Sequence, residues 1–149
     1  MNSGNDLYQR IILDHNRNPR NFRKTDGATH ACDGYNPLCG DEITLYLTLA
    51  DNVIQDISFQ GSGCAISKAA TSLMTGQLKG KTIDESREIA DRFLKLVKGE
   101  PETGDRDDIL GKLKIFEGVR QYPSRIKCAT LPWHTMTCAL DKKRETTTE

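Results

Sequence analysis

The sequence lacks the features that would assign it to several common functional classes. Its 149 residues carry 21 Lys and Arg against 21 Asp and Glu, so the formal net charge of zero gives no indication of nucleic-acid binding. No apolar run approaches the ~20 residues that cross a bilayer. The first residues show no cationic segment followed by an apolar run, so no secretory signal is predicted and a cytoplasmic location is expected.

The cysteines also lack a familiar spacing. None of the five forms a CxxC pair, which argues against a zinc ribbon or a thioredoxin motif: Cys32, Cys39, Cys64, Cys128 and Cys138. In a reducing compartment we expect them not to form structural disulfides. A metal or nucleophile site would therefore have to be assembled by the fold from distant segments.

The length favours one domain over residues 1–149. Apolar spacing predicts a first helix over residues 5–15, with Tyr8 in its apolar stripe, and a short strand is expected at 28–33. The segments "EITLYLTLA" and "VIQDISFQ" alternate around a "DN" turn, which predicts an antiparallel hairpin. If Ala50 pairs with Val53, Glu42 falls near Gly61, and Cys64 is brought close to Cys39.

The pattern becomes helical after Cys64. One helix is predicted to end at Gly80, a second begins at a capping box of Thr82 with Glu85 and runs to residue 98, and a short one covers 107–117. In the last helix Pro132 is expected in the first turn, which would place Cys128 at or just before the N-terminus. A flexible tail is predicted from about residue 142. The layout is α+β, with helices packed on one side of a three-stranded antiparallel sheet.

The candidate site collects residues that favour a thiolate or a metal ion. Cys64 follows "GSG" and opens a helix, and a helix N-terminus lowers a thiol pKa. Arg125 and Lys127 add positive charge around Cys128. Together with Cys39, these thiols and Asp41 offer four donors, which suits tetrahedral zinc or a cluster iron. A carboxylate is a weaker ligand than a thiolate, which indicates a site able to exchange a ligand.

Simpler interpretations exist for each residue. Free cysteine is often buried in a core, and Asp41 alone is more often a turn residue. The core interpretation is preferred for Cys32 and Cys138. A cysteine nucleophile of the protease type would need a paired base, and none of the histidines is clearly one: His15, His30 and His134.

Four segments carry a family resemblance: "ILDHNRNPRN", "NPLCGDEI", "FQGSGCAIS" and "RIKCATLPW". The chain resembles the IscU/NifU N-terminal family of iron–sulfur cluster assembly proteins over about residues 6–140, and its SufU branch most closely. IscU-like proteins carry a histidine before the third cysteine of the motif, where this chain has Lys127. The segment "LVKGEPETGDRDDILGKLKIFEGV" looks like the SufU insertion.

The resemblance implies an IscU/SufU-like fold and a zinc ion bound by Cys39, Asp41, Cys64 and Cys128. It also implies a sulfurtransferase-like role, in which Cys39 accepts persulfide sulfur from a pyridoxal-phosphate-dependent cysteine desulfurase of the SufS type. The sulfur would pass on to a downstream iron–sulfur assembly scaffold. Arg125 and Lys127 could stabilise the Cys128 thiolate or help to dock the partner.

Two alternatives stay open. The same ligands could form a scaffold on which an iron–sulfur cluster is built and handed on. The chain could also be a zinc-stabilised interaction module without chemistry, although a weak carboxylate ligand gives no advantage to a purely structural site.

Overall fold

The computed structural model describes residues 3–100 and 107–148, with side chains over 6–100 and 109–148. The sheet order is β3-β2-β1-β4. The elements follow the chain in this order: α1 Ser3–Arg17, β1 His30–Asn36, β2 Asp41–Ala50, β3 Val53–Ser62, α2 Ala65–Leu78, α3 Ile83–Lys98, a 3₁₀ segment Asp107–Gln121, α4 Pro123–Leu140 and β4 Glu145–Thr147. The α+β prediction is confirmed, and a fourth strand joins the three antiparallel ones. No helix in the described residues is long and apolar enough to cross a membrane.

The β2–β3 hairpin forms as predicted, with one shift. Asp51 and Asn52 have φ of 54° and 63°, as a two-residue primed turn requires, and Ala50 pairs with Val53. A bulge between Thr48 and Leu49 moves the register by one residue, so Glu42 lies opposite Ser62 rather than Gly61. The "GSGC" segment still returns to the start of β2, which carries Asp41.

The helices cover one face of the sheet. α4 packs on β1 and β2, while α2 contacts β3 and α4. The close approach of α4 to β1 depends on Gly34, because a Cβ there would overlap the Thr135 hydroxyl. Phe93 of α3 stacks on Trp133 of α4 with ring centroids 4.9 Å apart, and both side chains are fully buried. The predicted capping box of Thr82 and Glu85 is present at the start of α3.

The last helix differs from its prediction. α4 begins at Pro123 and continues through Pro132, so Cys128 lies in its second turn and not at the N-terminus. Proline lacks the N–H that would bond to the carbonyl four residues earlier, which disfavours a helix interior. Here Pro132 and its neighbours are buried in the core, and this burial outweighs the local preference that the prediction used.

Part of the tail predicted from about residue 142 forms a strand. β4 pairs in parallel with β1, and Glu145 lies opposite Asp33. A strand edge with free N–H and C=O groups accepts such a segment whatever its side chains, so the polar tail gave no sign of it.

The expectation that the cysteines avoid disulfides is wrong for one pair. Cys32 of β1 is bonded to Cys138 of α4, with 6.2 Å between their Cα atoms. The two lie 106 residues apart in sequence, and only the packing of α4 on β1 brings them together. The last turn of α4 is thereby fastened to the sheet.

Candidate metal centre

The loop between β1 and β2 carries the first two candidate ligands. Asn36 and Asp41 form a cross-strand pair that closes the base of this loop. Cys39 lies in the loop and is exposed, whereas Asp41 is only 2% exposed. The hairpin therefore presents a thiol to solvent and holds a carboxylate beneath it.

Asp41 is fixed by groups from both sides. Its Oδ1 accepts a 2.7 Å hydrogen bond from the backbone N–H of Cys64, and its Oδ2 accepts a 3.0 Å bond from Nδ2 of Asn36. The Cys64 Sγ lies 3.8 Å from Asp41 Oδ2. This approach depends on Gly63, whose φ is 154° and whose missing Cβ would overlap Asp41 Oδ1. The glycine-rich segment thus brings Cys64 against Asp41.

Cys128 joins the group from α4. Cys128 is a buried residue, and its Sγ lies 3.4 Å from the Sγ of Cys39, which is an exposed residue. One ligand atom from each of Cys39, Asp41 and Cys128 lies within 4.8 Å of the other two. Cys64 is not in that tight group, and it borders the group through its contact with Asp41. The structure thus brings all four predicted ligands to one end of the sheet.

The thiols differ in their acidity. The pKa of Cys64 is lowered to about 7, chiefly by a hydrogen bond with the Cys128 side chain, and the backbone N–H of Ser67 contributes while burial opposes. Cys64 is the N-cap of α2, which explains the Ser67 contact at 3.4 Å. The same bond to Cys64 raises the pKa of Cys128, and burial and Cys39 raise it further. Cys64 therefore ionises at a lower pH than Cys128 does.

The chemistry of the donor set fits a metal cation. Asp41 is buried, and no lysine or arginine within residues 6–100 and 109–148 forms an ion pair with it. A buried carboxylate without a compensating charge is strongly destabilising. Three sulfur donors and one oxygen donor match the ligand types and the number that tetrahedral zinc takes. The residues present can therefore hold a divalent metal ion.

The two predicted cations lie at the rim and not among the ligands. Arg125 is exposed, and its guanidinium carbon is 4.6 Å from the centre of the Tyr122 ring. Lys127 is also exposed and helps to line a cavity of about 220 Å³, together with Leu38 and Thr148. Their roles in catalysis or docking stay predictions.

Two further residues are linked to the site, Asn36 by direct contact and Tyr8 by electrostatic interaction, and neither was found from the sequence. Asn36 contacts two candidate ligands, whereas in the sequence of the segment "NPLCGDEI" only the cysteine and the aspartate indicate a site. The Tyr8 hydroxyl is buried without a hydrogen-bond partner in the described part of the chain. Burial raises the pKa of Tyr8, the charge of Arg125 opposes the rise, and Cys64 and Cys128 add to it. Because Tyr8 lies in the apolar stripe of the first helix, the sequence pattern gives no sign of its link to the site.

The fold and the donor set define a small α+β protein with a sulfur-rich candidate metal centre at one end of its sheet. The chain belongs to the NifU-like N terminal domain family, whose model matches residues 7–129. That match includes the four candidate ligands.

Named relatives fall into two groups. The chain is 36% identical over 138 residues to the iron–sulfur cluster assembly scaffold protein IscU of Streptococcus pyogenes, covering 93% of this chain and 85% of the relative. It is 39% identical over 130 residues to the zinc-dependent sulfurtransferase SufU of Bacillus subtilis, covering 87% and 86%. A solved structure of a SUF-system iron–sulfur cluster assembly scaffold protein from Fervidobacterium islandicum superposes with a TM-score of 0.84 at 36% identity, covering 91% and 97%.

Proposed function

We propose that the protein is a zinc-dependent sulfur acceptor that takes persulfide sulfur from a cysteine desulfurase of the SufS type. The observation that carries this proposal is the unequal exposure of neighbouring ligands: Cys39 is exposed while Asp41 and Cys128 are buried. Cys39 can therefore turn towards a partner while the other ligands hold their positions. The similarity to a relative named as a zinc-dependent sulfurtransferase supports the same function.

The proposed metal ligands are Cys39, Asp41, Cys64 and Cys128. Bound zinc would keep the thiols ionised and suppress their reactivity until a partner binds. Asp41 contributes the weakest of the four ligands, so the set can rearrange when Cys39 leaves. The bonds to Asp41 from Asn36 and from the Cys64 backbone keep it in place during that rearrangement.

The transfer step is an ordinary thiol exchange at Cys39. Its thiolate sulfur bonds to the terminal sulfur of the desulfurase persulfide. The bond between the two donor sulfurs breaks, and the electron pair leaves with the desulfurase thiolate. The proton on the terminal sulfur stays with it, so Cys39 carries the new persulfide. A downstream iron–sulfur assembly scaffold then receives that sulfur.

The surroundings of Cys39 suit a docking partner. The neighbouring Leu38 side chain is 61% exposed, and Tyr122, under the Arg125 guanidinium, is 49% exposed. Lys127 adds positive charge in the cavity that it lines together with Leu38. Apolar contact beside a cation favours a partner surface with an apolar centre and acidic residues.

The test is desulfurase turnover, measured anaerobically with and without the zinc-loaded protein. We expect strong stimulation that Cys39→Ala abolishes and Asp41→Ala alters while the fold is retained. Lys24→Ala, on an exposed residue, serves as a control and is expected to behave as wild type. No stimulation by the wild-type protein would contradict the proposal.

A scaffold function is the second candidate, supported by the relatives named as IscU scaffold proteins. It predicts cluster absorbance when ferrous iron and sulfide are supplied anaerobically, with no effect on the desulfurase. If the chain is instead a purely structural zinc module, the wild-type protein should show neither desulfurase stimulation nor cluster assembly. Asp41→Ala should then lower the stability of the fold. The three functions therefore give different results in the same set of assays.

A further inference from the structure

We infer that Asn36 is a positioning residue for the proposed metal ligands Asp41 and Cys128, and that Thr148 anchors its amide. This inference rests on the proposed metal site. It adds the two residues that set the geometry of two of the proposed ligands.

The Asn36 side chain is fully buried and uses all its hydrogen-bonding groups at the site. Its Nδ2 donates to Asp41 Oδ2 at 3.0 Å and to Cys128 Sγ at 3.5 Å. Its Oδ1 accepts a 3.0 Å bond from the hydroxyl of Thr148. One amide therefore joins a ligand from β2, a ligand from α4 and the end of β4.

The Asp41 carboxylate, which only accepts hydrogen bonds, decides which way the amide faces, and the Thr148 hydroxyl anchors the amide in that orientation. A hydroxyl that donates to Oδ1 holds the carbonyl end towards β4, which directs both N–H groups at the ligands. The reversed amide would place its oxygen against the Asp41 carboxylate, with no proton between them. Each N–H occupies one lone pair of a ligand atom and leaves the other lone pairs of that atom free to bind a metal ion. Outer contacts of this kind orient metal ligands and raise metal affinity.

The chain reaches this point because β4 follows β1 in register. Glu145 lies opposite Asp33, and the N–H of Thr148 bonds to the carbonyl of Tyr35 at 3.0 Å. The disulfide between Cys32 and Cys138 fastens the end of α4 to β1 just before this strand begins. Residues 141–148 therefore return along β1 from Cys32 towards Asn36.

Asn36 could instead be an ordinary buried residue that only stabilises the hairpin. That role predicts lower stability of the metal-free protein on substitution, with unchanged zinc affinity in molecules that remain folded. A positioning role predicts a loss of zinc affinity that is separate from any loss of stability. The two roles are distinguished by measuring both quantities on the same variants.

The experiment is a competition titration of zinc against a chromophoric chelator, alongside thermal unfolding of the metal-free full chain. Asn36→Asp keeps the size but replaces the donor with a carboxylate, and we expect a Kd raised roughly 10–100-fold, the usual effect of losing an outer contact. Thr148→Val removes the hydroxyl and should raise the Kd by about 2–10-fold, as the loss of one neutral hydrogen bond does. Thr148→Ser retains the hydroxyl and should bind as wild type.

A double-mutant cycle completes the test. If Thr148 acts through the Asn36 amide, Thr148→Val has no effect on zinc affinity in an Asn36→Ala background. Equal affinity in wild type, Asn36→Asp and Thr148→Val would overturn the inference. Should Asn36→Asp fail to fold, the comparison of Thr148→Val with Thr148→Ser still decides it. A wild-type chain that binds no zinc would instead contradict the proposed function.

Discussion

The five cysteines form two groups that each have one member on α4 and that differ in chemistry. Cys32 and Cys138 join the middle of β1 to the last turn of α4 as a disulfide. Cys128, earlier on the same helix, meets Cys39, just beyond the end of β1, as a free thiol with its Sγ 3.4 Å away. Packing of α4 along β1 therefore brings cysteines into contact at two places, one within β1 and one just beyond its end.

The difference lies in what surrounds each contact. Cys32 and Cys138 are buried among apolar side chains of the core cluster. The Cys39 and Cys128 contact lies beside a buried carboxylate, an amide donor and the N-terminus of α2, which Cys64 caps. Polar groups that stabilise anions favour thiolates and metal binding, whereas an apolar setting leaves only covalent pairing or packing. Neighbouring groups, and not the cysteines themselves, separate a structural contact from a reactive one.

The largest expected effect comes from removing cysteines of each group in turn and comparing the loss of desulfurase stimulation. Cys39→Ala should reduce desulfurase stimulation to background, because it removes the proposed sulfur acceptor. The matched double variant Cys32→Ala with Cys138→Ala should retain stimulation at a temperature where it is folded. Both are measured in the same turnover assay. Loss of stimulation in the double variant alone would reverse the assignment of the two groups.

Stability should show the opposite pattern. Removing the disulfide should lower the free energy of unfolding by about 2–5 kcal/mol, since it closes a long loop. Cys39→Ala, at an exposed loop position, should change it by less than about 0.5 kcal/mol. Urea unfolding of the metal-free proteins gives both values, and adding a reductant should lower the stability of wild type but not of the double variant. Equal stability of all three would show that the pair does not constrain the chain.

These two groups also show how far sequence reasoning reaches. The β2–β3 hairpin and the α3 capping box follow from local patterns, and both are confirmed. Hairpin register was enough to predict that Cys64 approaches the start of β2. The Cys32–Cys138 bond could not be predicted, because it depends on how α4 lies across β1 over a separation of 106 residues.

Two wrong predictions have the same cause, because contacts between segments far apart in the sequence decide the structure. The helix through Pro132 is held by burial in the core, which overrides the local preference of proline. β4 pairs through backbone groups that any sequence carries, so its polar residues looked like a tail. Asn36 was missed for a related reason, since its importance comes from partners on β2, α4 and the chain end.

The close approach of the "GSG" segment to Asp41 can be tested by substituting Gly63. Gly63→Ala should lower stability by about 1–3 kcal/mol and weaken zinc binding, because its Cβ would overlap Asp41 and its φ of 154° disfavours alanine. Gly76→Ala in α2 is the matched control: no atom lies within 4 Å of its added Cβ, and alanine favours a helix by up to about 1 kcal/mol. Thermal unfolding and zinc competition measure both. A Gly63→Ala chain as stable and as tight as wild type would contradict the close approach of the "GSG" segment to Asp41.

The smallest expected effect is a pH dependence that separates the thiols within the reactive group. The Cys64 pKa is lowered to about 7 and that of Cys128 is raised, in both cases chiefly through their mutual hydrogen bond. A thiolate is the species that alkylates, so in metal-free protein the rate at Cys64 should rise with pH, reach half its maximum near pH 7 and level off above it. Cys128 should remain slow throughout this range, and Cys32 and Cys138 should not react without a reductant.

Mass spectrometry of peptides after brief iodoacetamide treatment from pH 5.5 to 9 resolves each site. In Cys128→Ala the hydrogen bond is gone, so the Cys64 midpoint should move to higher pH; an unchanged midpoint would mean that Cys128 does not set the acidity of Cys64.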